Sequence, residues 1–177
     1  MGKRSNFERR DRDFYPTPRE AILPLLPHLP QDFSFVEPCA GAGDLVRHLS
    51  SPDRRCVWAF DIEPRDDSVK RFDAMDMRLL EFGPPDLIIT NPPWRRDALH
   101  PMIRHFATQR PTWLLFDADW VHTRQAAEFM PALRAIVSVG RVKWIPDSKM
   151  TGKDNCAWHL FDAHPPGIWT RFHGRLA

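Results

Sequence analysis

The chain has 177 residues, 42% hydrophobic and 27% charged, with a formal net charge of +2. That is enough chain for a full-sized core, and the mix excludes a disordered polymer. No apolar run approaches the roughly 20 residues of a membrane-spanning helix, and so small a net charge does not by itself argue for a nucleic-acid partner.

The opening stretch, M-G-K-R-S-N-F-E-R-R-D-R-D, is basic but has no apolar segment, so no signal peptide is read. Residues 1–14 are expected to form a flexible basic arm carrying Arg9, Arg10 and Arg12, and residues 15–177 a single domain. T-P-R-E-A-I-L (17–23) predicts a helix with Thr17 as N-cap and Pro18 at the first helical position, kept short or kinked by Pro24 and Pro27. F-S-F-V-E (33–37) predicts a buried strand, which ends at P-C-A-G-A-G and is followed by a helix over 44–49. C-V-W-A-F-D (56–61) predicts a second strand and 70–74 a short third one. D-L-I-I-T (86–90) predicts the next strand, 97–108 an amphipathic helix, T-W-L-L-F (112–116) a strand and 123–133 another helix. Apolar segments around 135–145 and 156–162 flank a polar loop and predict a closing hairpin. Strands alternating with helices predict an α/β fold with a mostly parallel sheet.

Ligands in such sheets bind outside the carboxyl ends of the strands. Three polar motifs fall at those ends: E-P-C-A-G-A-G, F-D-I-E-P and T-N-P-P-W. Gly41 and Gly43 allow a tight turn and close approach of a ligand. Position 46 is Val46, so the third glycine of a dinucleotide fingerprint is missing, and Glu37 suits a cationic ligand better than a pyrophosphate. Asp61 lies 20 residues after the glycine turn, where a ribose is gripped or a strand end is capped. Ile62 offers an apolar face, and Asp76 could accept from an exocyclic amine or simply be a solvated loop acid. The three cysteines are far apart and the eight histidines dispersed, so neither disulfides nor a metal site is expected, which suits a reducing cytoplasm.

Together with Y-P-T-P (15–18) and M-D-M (75–77), these motifs resemble, in order, those of S-adenosylmethionine-dependent N6-adenine methyltransferases, in particular small phage and prophage forms. R-V-K-W-I (141–145) and D-N-C-A-W-H-L-F-D (154–162) extend the resemblance over most of the chain. It implies a class I, Rossmann-like three-layer α-β-α sandwich with a seven-stranded sheet, acting in the cytoplasm of a bacterial or phage-infected cell. It also implies roles. Tyr15 and Thr17 would border the methionine end of S-adenosylmethionine, and Glu37, Pro38, Ala40, Gly41 and Gly43 its ammonium and sugar. Asp61 would hold the ribose, Ile62 and Asp76 the adenine. Asn91, Pro92, Pro93 and Trp94 would hold the target base, with Asn91 also beside the cofactor.

The amine of adenine is a weak nucleophile because its lone pair is delocalised into the ring. The Asn91 oxygen and the Pro92 carbonyl would each accept one of its hydrogens, on a backbone already fixed by proline. Trp94 would stack on the base for about 1–3 kcal/mol. A duplex substrate would need base flipping. Arg9, Arg10, Arg12, Arg95, Arg96, Trp120, Lys149 and Lys153 are candidate nucleic-acid contacts, DNA being preferred over RNA. Little chain remains for a separate recognition domain, so a partner subunit or a second copy could supply it. RNA adenine methylation, protein glutamine methylation and a non-catalytic binding subunit are the alternatives.

Overall fold

A computed structural model describes residues 15–79, 85–145, 152–164 and 169–175. The expected basic arm with Arg9, Arg10 and Arg12, and Lys149, lie outside them.

Eight strands form one sheet: β1 (Phe33–Glu37), β2 (Arg54–Asp61), β3 (Lys70–Arg71), β4 (Leu87–Thr90), β5 (Thr112–Asp117), β6 (Leu133–Arg141), β7 (Asn155–Phe161) and β8 (Arg171–His173). Their order is β3-β2-β1-β4-β5-β7-β6-β8. Pairing is parallel from β3 through β5, while β7 lies antiparallel to both β5 and β6. Seven of the strands were expected. The eighth is a three-residue strand that pairs parallel to β6 at the sheet edge.

The sequence explains the layering. In β5, Leu114 and Phe116 enter one core and Trp113 and Leu115 the other, as the two-residue period of a strand requires. The first core is closed by α3 (Arg96–Ala107) through Leu99, Ile103 and Phe106, together with 3-10 turns over 118–122 and 124–132. The second is closed by α1 (Arg19–Ile22) and α2 (Asp44–Leu49) through Ile22, Leu25, Leu45 and Leu49. Helices on both faces leave β4 buried along its whole length, which is why L-I-I-T shows no polar alternation.

Two local expectations change. The segment expected to be helical over 123–133 winds as a 3-10 helix, with Pro131 removing a donor near its end. Thr17 does not cap α1: Pro18 occupies the N-cap and no side chain caps it. The Thr17 hydroxyl is engaged elsewhere, as described below. Helix α1 is short, as its prolines demand, but firmly placed. The Trp158 indole of β7 donates to the Ala21 carbonyl at 2.7 Å, and the Lys143 amide donates to the Glu20 carboxylate at 2.8 Å. These bonds fix the residues just before α1 over the carboxyl end of the sheet.

Candidate active site

Strand β1 has β2 on one side and β4 on the other, so the chain reverses its direction of growth between β1 and β4. A crevice opens at such a point. Here it is a cleft of about 390 Å³, lined by Tyr15 and Thr17 from the segment before α1, Glu37 to Ala42 after β1, Asp61 and Ile62 after β2, and Asn91 and Pro93 after β4. The three sequence motifs meet in one cavity.

The glycine turn is built by backbone geometry and one carboxylate. Gly41 and Gly43 have φ of 55° and 77°, where a Cβ would be strained, and Gly43 precedes α2 as its N-cap. The Asp61 carboxylate accepts from the Gly41 amide with one oxygen and from the Glu63 amide with the other, both at 2.8 Å. It therefore ties the turn after β1 to the turn after β2. Each oxygen keeps one acceptor site.

Glu37 is 2% exposed, and its Oε2 has no hydrogen-bond partner among the described residues. Burial holds its carboxyl well above the usual range, the Val46 amide opposes this, and nearby Asp61 and Asp44 add to it. A buried acid that lines a cavity, its carboxyl held high by burial, is favoured to ionise when a cation comes beside it. Burial, reinforced by Asp61, likewise pushes the neighbouring Cys39 thiol up, so it stays protonated and is a poor nucleophile.

At the other end of the cleft, both ends of the Asn91 amide are engaged. Its nitrogen donates to Thr17 Oγ1 at 3.2 Å and more weakly to the Tyr15 carbonyl at 3.5 Å. Its oxygen accepts from the Trp94 indole at 3.2 Å, and the same indole donates to the Leu115 carbonyl at 3.1 Å. Trp94 is half-buried and turned inward, and it is not among the residues lining the cleft. Trp144 packs edge-on against it, with centroids 5.7 Å apart and planes at 85°, and Tyr15 lies 6.3 Å from Trp144. Pro92 is buried behind this turn.

Other expected residues scatter. Asp76 is exposed and outside the cleft; Asp73 and Ala74 line it instead, with Asp73 capping the 3-10 turn over Ala74–Asp76 through the Met75 amide at 2.9 Å. Pro38 and Ala40 line the cleft, whereas Gly43 does not. Arg95 lies at the rim and pairs with Asp97, while Arg96 donates to Gln125. Trp120, expected at a nucleic-acid surface, is 3% exposed. Its ring packs at right angles to Phe116 and its indole donates to His100 at 3.0 Å, so it belongs to the core. Lys153 is exposed. Sequence reasoning placed Trp144 inside a strand; β6 ends at Arg141, and the ring packs against Trp94 and Tyr15. An aromatic residue just before a polar loop is the signal that could have singled it out.

No family model and no curated protein matches the sequence. Solved structures match in fold. A protein of Listeria monocytogenes described as a class I S-adenosylmethionine-dependent methyltransferase superposes with a TM-score of 0.54 at 11% identity, over 88% of this chain and 61% of that one. A modification subunit of a type I restriction enzyme from Vibrio vulnificus gives 0.55 at 14%, over 93% of this chain and 47% of that one. The 23S rRNA methyltransferase ErmE gives 0.54 at 16%, over 86% and 71%. The chain has the class I methyltransferase fold. It spans less than two thirds of the length of the first two structures, and identities this low carry the methyltransferase fold rather than a substrate.

Proposed function

We propose that this chain transfers a methyl group from S-adenosylmethionine to the N6 amine of adenine in DNA, with a duplex target extruded from the stack. One observation carries the reading: a single cleft joins an unpartnered buried carboxylate, a carboxylate beside a glycine turn, and an amide held at the end of β4. The residues suit the cofactor. Glu37 Oε2 would receive its ammonium, the free acceptor sites of Asp61 the ribose hydroxyls, and Ile62, 52% exposed at the rim, the face of its adenine. Asp73, which lines the cleft where Asp76 does not, would accept from the adenine amine. When bound, S-adenosylmethionine supplies an electrophilic methyl group.

The chain's own contribution is to place a base. Asn91 Oδ1 and the Pro92 carbonyl would accept the two hydrogens of the target amine beside the Trp94–Trp144 pair, leaving its lone pair directed at the methyl group. Positioning of this kind supplies most of the rate, and no covalent enzyme intermediate is invoked. Arg95 at the rim, Arg96, Lys149, Lys153 and the N-terminal arm would meet phosphates. A partner subunit or second copy would add sequence recognition. RNA is the second reading, favoured by the fold likeness to an rRNA methyltransferase.

Nucleoside mass spectrometry after incubation with labelled cofactor, on DNA and RNA separately, decides. Label in N6-methyladenine of DNA is expected; label only in cytosine or in protein glutamine would overturn the reading.

Two binding results follow from the cleft. Burial holds the Glu37 carboxyl well above its ordinary 4.5, so a cationic cofactor should draw off its proton and affinity should rise as pH rises above that value. Calorimetry in two buffers of different ionisation enthalpy should register that release. Glu37→Gln should abolish it and weaken binding roughly tenfold to a hundredfold, the value of a charge-assisted hydrogen bond. Asp73→Ala should weaken the cofactor about tenfold while Asp76→Ala leaves it unchanged, one lost hydrogen bond being the difference. Equal effects of the two would displace Asp73 from the adenine.

A further inference from the structure

Groups that can only donate or only accept flank the Asn91 amide. The Trp94 indole N–H can only donate, and the Tyr15 backbone carbonyl can only accept. Rotating the amide by half a turn would set two donors against each other at the indole and two acceptors at the carbonyl. The polarity of the amide therefore follows from its neighbours' chemistry. Thr17 contributes contact but no polarity, because a hydroxyl can donate or accept. The Tyr15 carbonyl, at 3.5 Å, is at the limit of a hydrogen bond, whereas the indole is at 3.2 Å. Trp94 is the stronger determinant.

The indole is itself held independently of Asn91. Its N–H is shared with the Leu115 carbonyl of β5 at 3.1 Å, and its ring is packed edge-on by Trp144. The donor is thus fixed to the sheet before any ligand arrives. Phenylalanine at this position would fill much of the space and donate nothing.

We propose that Trp94 is a positioning residue, acting through its indole N–H, which fixes the Asn91 amide with its oxygen toward Trp94 and its nitrogen toward Tyr15 and Thr17. The inference rests on the methyl-transfer reading given above. One oxygen lone pair is occupied by the indole and the other remains for the target amine. With the amide reversed, Asn91 would present hydrogens to an amine that also presents hydrogens, and the base would be repelled. The edge of the Trp94 ring, rather than its face alone, then governs transfer.

The test replaces Trp94 by its benzothienyl analogue, which substitutes sulfur for N–H at nearly constant shape, and in parallel by Trp94→Phe. Three quantities are read: proton exchange of the Asn91 side-chain amide by nuclear magnetic resonance, assigned as the pair of signals absent in Asn91→Ala; cofactor affinity by calorimetry; and kcat against cofactor KM. Both replacements should speed amide exchange and lower kcat, each by about tenfold, the equivalent of one hydrogen bond, with cofactor Kd and KM unchanged. Unchanged amide exchange in the benzothienyl protein would overturn the proposal, as would a loss of cofactor affinity matching the loss of kcat. Absence of methyl transfer by the native chain on both DNA and RNA would overturn the methyl-transfer reading instead, and the exchange rates would still decide whether the indole orients Asn91.

Discussion

Asn91→Ala should lower kcat by a factor of about 10² to 10³, the usual loss when one preorganised dipole is removed from a reacting group, while S-adenosylmethionine still binds. The cofactor's expected charged and hydroxyl contacts lie with Glu37 and Asp61, at the β1 and β2 ends of the cleft. The truncation leaves the Trp94 indole bonded to the Leu115 carbonyl, so the ring has no reason to move. Thr17 loses one donor and remains 95% buried beside the cleft, a loss worth about 1 kcal/mol. Asn91→Asp should be intermediate: it keeps an acceptor for the amine but turns a second oxygen toward the Tyr15 carbonyl. Single-turnover transfer from labelled cofactor gives the first quantity and calorimetry the second. If transfer and cofactor binding disappear together, Asn91 is holding the cleft in shape rather than the base.

The second large effect is on stability in acid. His159 lies in the middle of β7, fully buried, with its ring stacked on Phe116 at 3.9 Å between centroids and Trp120 edge-on at 5.9 Å. Neither ring nitrogen has a partner at hydrogen-bond geometry among the described residues. Its neighbours across the sheet are Leu114 and Ile136, so no carboxylate sits opposite it on either flanking strand. Burial pushes the imidazole from 6.5 down to about 3, opposed only weakly by the Leu114 and Ala157 carbonyls. The folded chain thus holds His159 neutral while the unfolded chain protonates it below pH 6.5. The stability it permits is complete above that value and is lost as pH falls toward 3, a loss on the order of 4–5 kcal/mol.

That is a large part of the 5–15 kcal/mol typical of a whole domain. Glu37 acts with the opposite sign, since its raised folded value costs stability above its ordinary 4.5. The two slopes oppose each other above 4.5, where both groups titrate, and below that value the loss from His159 is unopposed by Glu37. Urea midpoints of His159→Leu and the native chain, compared from pH 7 to 3, isolate the histidine. The native chain should lose stability relative to the variant throughout that descent. A constant difference would mean that His159 is satisfied in the fold.

Much of this architecture was legible in the residues, and the failures are informative. F-S-F-V-E and D-L-V-R-H-L were bounded correctly because proline and glycine punctuate both ends. The three turns that meet in the cleft were legible because each breaks a strand with residues a strand does not favour. Thr17 was misread because a threonine before proline has the right chemistry for a cap, and nothing local reveals that an amide 74 positions away competes for its hydroxyl. Asp73 and Asp76 are three residues apart in a tight turn, where spacing cannot say which carboxylate faces inward. Trp94 and Trp120 illustrate the same limit. An aromatic ring beside a site reads equally as platform or as core, and only the packing of α3 and the 118–132 segment around Trp120 decides it. The strand β8 lies beyond local pattern altogether, since R-F-H pairs with β6 by position rather than by hydrophobic period.

The antiparallel β7 has one more consequence, for which parts of the molecule depend on one another. Strand β6 has no hydrogen bonds to β5; it reaches the sheet only through β7. The place of β6 in the sheet therefore depends on β7, and that of β8 on β6. Trp144 is carried just beyond β6, on the connection within that hairpin. Glu37 and Asp61 stand on neighbouring strands early in the chain, whereas the ring that packs against Trp94 is carried by the hairpin. Loosening the hairpin would therefore remove the ring behind Trp94 while leaving the tie between the Gly41 turn and Asp61, which β1 and β2 make on their own.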